Sequence, residues 1–209
     1  GSEMCIRDRF EGGRELELDA VSEVPRYYVC NAYGVCGIYS APGTAVKEAY
    51  DTSGIVTNDR GVTVWLKGNR VSRNQIMAIK EESVTEQKNS LAVCLDNILR
   101  HAGITRNTEY DLAQGKTATT ILSENMTGVQ VLDLSGCTLD AVLYYVNQDI
   151  PVLAILEDGE AVLVTGFNEF NVVIMEPATG KLYKKGMNDA TAWFAENGNH
   201  FITYMRIEN

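Results

Sequence analysis

Histidine is almost missing from this chain: among 209 residues there are two, His101 and His200. No two of the five cysteines have the CxxC spacing of a zinc or redox site, and two imidazoles do not complete a metal set with them. No metal and no cofactor is expected. Basic residues are in deficit as well, 18 against 28 acidic ones, for a formal net charge of −10. Nucleic-acid affinity comes mainly from Lys and Arg neutralising phosphates, so no nucleic-acid partner is expected. Basic clusters such as "KGNRVSR" read as solvated turns. Nor does any apolar run approach the roughly 20 residues that cross a bilayer as a helix, so no membrane span is expected.

What is present is the composition of an ordinary globular protein. Its length can bury a core without metal or disulfide support, as one large domain or two small ones. The first residues stand apart. "EMCIRDR" matches a translated transposon-end adapter from shotgun sequencing, since ATGTGTATAAGAGACAG reads Met-Cys-Ile-Arg-Asp. Residues 1–9 are therefore expected to be an adapter artefact of metagenomic sequencing, with an acidic lead-in over 10–25 and a natural chain that continues upstream. Cys5 drops out of the chemistry.

Residues 26–70 carry their own pattern. "RYYVCNAYGVCGIYS" alternates β-formers around a turn, and "PGTAVKEAYDTSG" supplies a short helix with Pro42 at its mouth and Gly54 past its end. "GIVTNDRGVTVWLKGN" is a second hairpin, turning at Asn58 to Gly61. Together they predict a small ββαββ module. Cys30 and Cys36 flank "NAYG" and either pair across the turn or sit as two half-buried strand thiols. Tyr27, Tyr28, Tyr39, Tyr50 and Trp65 form either a ligand-facing aromatic strip or, the commoner use of such residues, the large members of a small core.

Residues 71–86 are the expected linker, a mixed polar and apolar stretch that suits a strand or a helix. Over 87–209 the pattern predicts a helix from Ser90 to His101, short helices in "TEYDLAQG" and "TATTILSENM", a strand "VQVLDL" and a helix "TLDAVLYYVNQ". Strands "PVLAILED", "EAVLVTGFN", "NVVIMEP" and "KLYKKG" come next, then a helix "DATAWFAENG" and a last strand "HFITYMRI". Helices first and an antiparallel sheet after them make an α+β fold.

The chemistry turns on "QKNSLAVCLDNILRHAG". Cys94 shares an apolar helix face with Leu91, Leu95, Ile98 and Leu99, the spacing of a buried structural residue. His101 lies two turns further along the same helix and cannot reach it, at a rise of about 1.5 Å per residue. Ser90 suits the N-cap or near-cap of that helix. His200, in "NGNH", reads as a turn or strand-start residue.

The element order, together with "DIPVLAILEDGEAVLVTGFNEFNVVIMEPATG", resembles the papain-like cysteine peptidases that process bacteriocin leaders, the double-glycine peptidases. Those domains carry a nucleophilic cysteine at the start of the first long helix, in Asp-Cys-Gly-x-x-Cys-Leu. Later strands read Gly-His-x-Val-Val-Val-x-Gly-(Tyr or Phe) and Asp-Pro-x-x-Gly. The resemblance runs from about Gln87 to Met205 and implies a papain-like fold. Laid on "NSLAVCL", it puts the nucleophile position at Ser90 and the second, structural cysteine at Cys94. The histidine falls on Glu160 and the aspartate on Glu176, so all three catalytic residue types are replaced. Gln87 is the candidate for the family's oxyanion-donating glutamine, although it stands closer to Ser90 than the family spacing.

A cysteine peptidase needs a thiolate held by a helix N-terminus and an imidazole that returns the proton to the leaving amine. A serine hydroxyl lacks that acidity, and a carboxylate is a feeble acceptor at neutral pH with no proton to give back. The resemblance therefore implies a degenerate, noncatalytic domain, a pseudopeptidase within a larger bacterial protein of the cell envelope or exterior, whose ligand is an extended peptide or a protein. Two other readings stand beside it. One is an active cysteine or serine peptidase using Cys94 or Ser90, and the other a purely structural surface or envelope module.

Overall fold

The computed structural model describes residues 24–68 and 77–207. The adapter-like residues 1–9, all of the lead-in before Val24 and the first six linker positions lie outside the described residues. The first unit runs β1 (Tyr27–Cys30), β2 (Cys36–Tyr39), α1 (Pro42–Thr52), β3 (Ile55–Asn58) and β4 (Thr63–Leu66), the ββαββ order the sequence predicts. Its four strands pair antiparallel in the order β2-β1-β3-β4. Pro42 stands in the first turn of α1, where a missing N–H costs nothing. The helix ends at Ser53, which takes a left-handed φ of 54°, and the Gly54 N–H closes the end on the Ala49 carbonyl. α1 turns Ala45, Val46 and Ala49 into the core.

The described part of the expected linker, 77–86, forms neither strand nor helix beyond one bridge between Thr85 and Lys88. Then follow α2 (Ser90–His101), α3 (Glu109–Ala113), α4 (Ala118–Asn125), β5 (Val129–Asp133), α5 (Leu139–Val146), β6 (Val152–Ile155), β7 (Ala161–Phe167), β8 (Asn171–Glu176), β9 (Lys181–Gly186), α6 (Met187–Glu196) and β10 (His200–Arg206). The six strands form one antiparallel sheet ordered β5-β10-β6-β7-β8-β9. Helices α2 and α5 both pack on β6 and β7. Every residue of β7 is buried, which is why "AVLVTGF" reads as a near-continuous apolar run instead of an alternating one. A bulge leaves Thr165 without a ladder partner, and its carbonyl accepts the Met77 N–H at 3.1 Å. From there residues 77–84 cross toward β9 as a strap: Glu81 takes the Leu182 N–H at 2.9 Å and the Val84 N–H reaches the Pro177 carbonyl at 3.1 Å.

The small sheet and the large one share a single hydrophobic cluster. Trp65 donates through Nε1 to the Ala141 carbonyl at 3.0 Å, and the Tyr145 hydroxyl returns a bond to the Val64 carbonyl at 2.9 Å. β4 and α5 thus each satisfy a buried polar group of the other. Gln130 extends the seam, donating to the Tyr27 hydroxyl and accepting from Asn58. Gly43 sits so close to the Asp133 and Ser135 carbonyls that a Cβ there would lie 3.1 and 3.0 Å from them. These contacts assign four of the five aromatic residues to the core or its margin, with Tyr28 half-buried outside that cluster. Tyr27 and Trp65 are core residues, while Tyr39 and Tyr50 pack half-buried against them. Cys30 and Cys36, directly opposite in the ladder, are joined as a disulfide.

Trp65→Ala is expected to cost about 3–5 kcal/mol, combining a large cavity with loss of the Ala141 bond. Chemical denaturation followed by circular dichroism measures it. A loss below 1 kcal/mol would mean that the seam contributes little to stability.

Candidate functional site

The start of α2 is set by its flanking residues. Asn89 is extended and its side chain accepts the Ala92 N–H at 2.9 Å, making Asn89 the N-cap; Ser90, one position on, is the first residue of the helix. The Glu109 carboxylate accepts the Asn89 N–H at 3.3 Å, placing negative charge at the positive end of the helix. Ser90 is buried, and its hydroxyl accepts the Ala161 N–H at the head of β7 at 2.9 Å. Ser90, which the sequence resemblance places at the nucleophile position, thereby touches the strand that begins one residue after Glu160.

Glu160 itself is exposed at the β6–β7 turn, where its N–H donates to Asp158 and its carbonyl accepts from Leu156. Its charge is felt at Cys94. That thiol is wholly buried one turn into α2, and burial first, then the Glu160 carboxylate, hold its pKa well above the ordinary value. Glu176 ends β8, one residue past the Leu163–Met175 pair, and its carboxylate accepts the Thr179 hydroxyl at 2.9 Å within its own turn. Gln87 is exposed at the Thr85–Lys88 turn, with its N–H on the Thr85 hydroxyl. The structure therefore brings Ser90, Cys94 and Glu160 together, while Glu176 is engaged by Thr179.

Neither histidine joins them. His101 closes the far end of α2, about 16 Å along the axis from Ser90, with Nε2 3.0 Å from the Asp149 carbonyl. His200 opens β10 in the same cross-strand row as Ala161, with Ile155 between them. Two strand spacings separate the two backbones by about 10 Å, and the imidazole lies over Gly198. Among the described residues no group of His, Cys, Asp and Glu could hold a metal ion.

Two features of the site escape sequence reading. Asp96, fully buried, accepts from Lys88 Nζ at 2.6 Å and from the N–H and hydroxyl of Thr108, both at 2.8 Å. Lys88 precedes the helix, and its spacing to Asp96 fits no helical pair. The only signal was an acidic residue on an otherwise apolar face. Glu109 reaches Asn89 from another helix and left no local trace.

No family model and no curated protein matches the sequence. Among solved structures, a C39-like peptidase from Bacillus anthracis superposes with a TM-score of 0.52 at 13% identity, over 66% of this chain and 100% of its own. The fold is that of the papain-like C39 peptidases. A double glycine motif protease from an AMS/PCAT transporter, solved in complex with the leader peptide, is 14% identical over 64% of this chain and 94% of its own, with a TM-score of 0.41. What this chain shares with the first structure is its fold. Among the described residues no helix is long and apolar enough to cross a membrane.

Two outcomes are expected from this geometry. Cys94 and Cys137, whose thiol burial pushes up to about 12, should resist iodoacetamide at neutral pH until the chain is unfolded, as peptide mapping by mass spectrometry would show. Native labelling of Cys94 faster than a free thiol would contradict its packing role. Asp96→Ala should cost about 1–3 kcal/mol, because it leaves the buried Thr108 N–H without an acceptor and takes from Lys88 its nearest carboxylate; a variant with unchanged unfolding midpoint would remove Asp96 as the anchor of α2.

Proposed function

We propose that this is a noncatalytic papain-like domain, a pseudopeptidase that holds an extended peptide without cutting it. One observation carries the reading: at the head of α2, where the peptidase motif puts its nucleophile, a buried serine accepts a backbone N–H and neither histidine of the chain touches it. Ser90 has no imidazole to take its proton, and Cys94 is kept protonated by burial and by the charge of Glu160. Where the resemblance places the family's imidazole and its orienting carboxylate, this chain has Glu160 and Glu176, and neither side chain is an imidazole. Peptide binding is drawn from the fold, since a papain-like scaffold that has lost its chemistry still offers backbone groups to an extended chain.

The purified chain should cleave none of a panel of peptides carrying a Gly-Gly site, followed by mass spectrometry, yet bind some of them by fluorescence polarisation. Cleavage abolished by Ser90→Ala or Cys94→Ala would establish an active peptidase instead. Rebuilding the motif provides a second check. Glu160→His alone, at an exposed position, should change stability by no more than about 0.5 kcal/mol. Ser90→Cys combined with Glu160→His should create a thiol whose alkylation depends on the new imidazole. Unchanged reactivity in a folded double variant would show that the two positions do not face each other.

A further inference from the structure

The four-stranded sheet has an outer strand with little to hold it. β2 lies at the sheet edge beside β1, and none of its residues Cys36–Tyr39 is buried. Ile38 is 65% exposed. Its attachments are the β1 ladder, the Asn31 turn, in which one carboxamide oxygen accepts the N–H groups of Tyr33 and Val35, the approach of α1, and the ring of Tyr39, folded over Gly37 and half-buried against the core. To these the Cys30–Cys36 disulfide adds a covalent cross-strand tie between two solvent-exposed residues. The contrast with the other described cysteines is complete, because Cys94 and Cys137 are both buried and free.

We propose that the Cys30–Cys36 disulfide is a redox latch on this sheet edge: a soluble dithiol opens it in the folded protein, and β2 then loosens from β1 while the six-stranded sheet stays closed. The thiolate of the dithiol attacks one cysteine sulfur, the Cys30–Cys36 bond breaks, and the departing sulfur takes a proton. The second thiol of the reagent then displaces the remaining cysteine, so two electrons and two protons pass to the protein and the reagent leaves as its own cyclic disulfide. Access is open because both cysteines are exposed. The effect is local because β2 has no fully buried residue and meets the core only through the half-buried ring of Tyr39. Removing so short a closed loop restores to the hairpin conformations that the bond had excluded. The opened β1 edge would present unpaired backbone groups of the kind that accept another strand.

The test uses the whole chain with and without dithiothreitol, read by mass spectrometry of alkylated peptides and by amide hydrogen exchange. Without reductant, Cys30 and Cys36 should be found joined. With it, both should alkylate without denaturant while Cys94 and Cys137 stay protected. Exchange in the Cys36–Tyr39 strand should rise about tenfold or more, with β7 unchanged. The double variant Cys30→Ser with Cys36→Ser should reproduce that exchange pattern without reductant. The proposal is overturned if the two cysteines are never joined, if their reduction requires denaturant, if β2 keeps its protection once reduced, or if β7 loses protection along with it.

Discussion

A carboxylate shut away from water fixes where the candidate site lies. Asp96 has no exposed side-chain surface, and removing such a charge from solvent costs several kcal/mol unless its oxygens are fully engaged. The donors that engage it come from both sides of α2: Lys88 from the segment entering the helix, Thr108 from the loop that follows it. Satisfying one buried charge therefore pins the chain before the helix, the helix itself and the start of α3. Lys88 is also within 3.8 Å of Glu82, which pairs in turn with Arg100, so the strap is drawn to the same helix. Ser90 meets Ala161 because α2 has almost no freedom to slide.

The same rigidity keeps the histidines away. α2 carries His101 to its opposite end, and the antiparallel order of the sheet interposes β6 between β10 and β7. A sheet does not close a gap of two strand spacings by a side-chain rotation. The Ser90 hydroxyl is instead used as an acceptor that ends the β7 ladder, and Cys94 serves as a small apolar filler. Polar satisfaction thus engages Ser90, and packing engages Cys94.

Much of the fold was legible because local signals agreed with the tertiary arrangement. Ser90–His101 showed its apolar face at helical spacing, and "AVLVTGF" showed the unbroken apolarity of a strand covered on both sides. Pro42 opened α1 as its fixed φ allows, whereas the left-handed cap fell on Ser53 and Gly54, one residue on, makes room for the Cys30 carbonyl. The site was less legible. "NS" offers two competent caps, and only the fold selects Asn89 and frees Ser90 to reach β7. The Asp96 pair, the Glu109 contact and the union of Trp65 with α5 join residues distant in sequence, and no periodicity encodes them. The strap suited a strand or a helix in sequence but is neither, since its N–H groups at Met77, Ile79 and Val84 go to a bulge carbonyl, to the strap's own Met77 carbonyl and to a turn carbonyl.

The bulge at Thr165 also acts as a proofreader. β7 and β8 are so uniformly apolar that a hairpin slipped along its axis would bury nearly as much hydrocarbon as the correct one. A slipped pairing would shift the freed carbonyl at Thr165 relative to the one at Pro177, and the strap, which must meet both through Met77 and Val84, would lose an acceptor for one of them. The connection between the two sheets therefore works as a ruler laid across the hairpin. It fits only one register, and it lets a segment with no secondary structure of its own reject misfolded forms that hydrophobicity alone would tolerate.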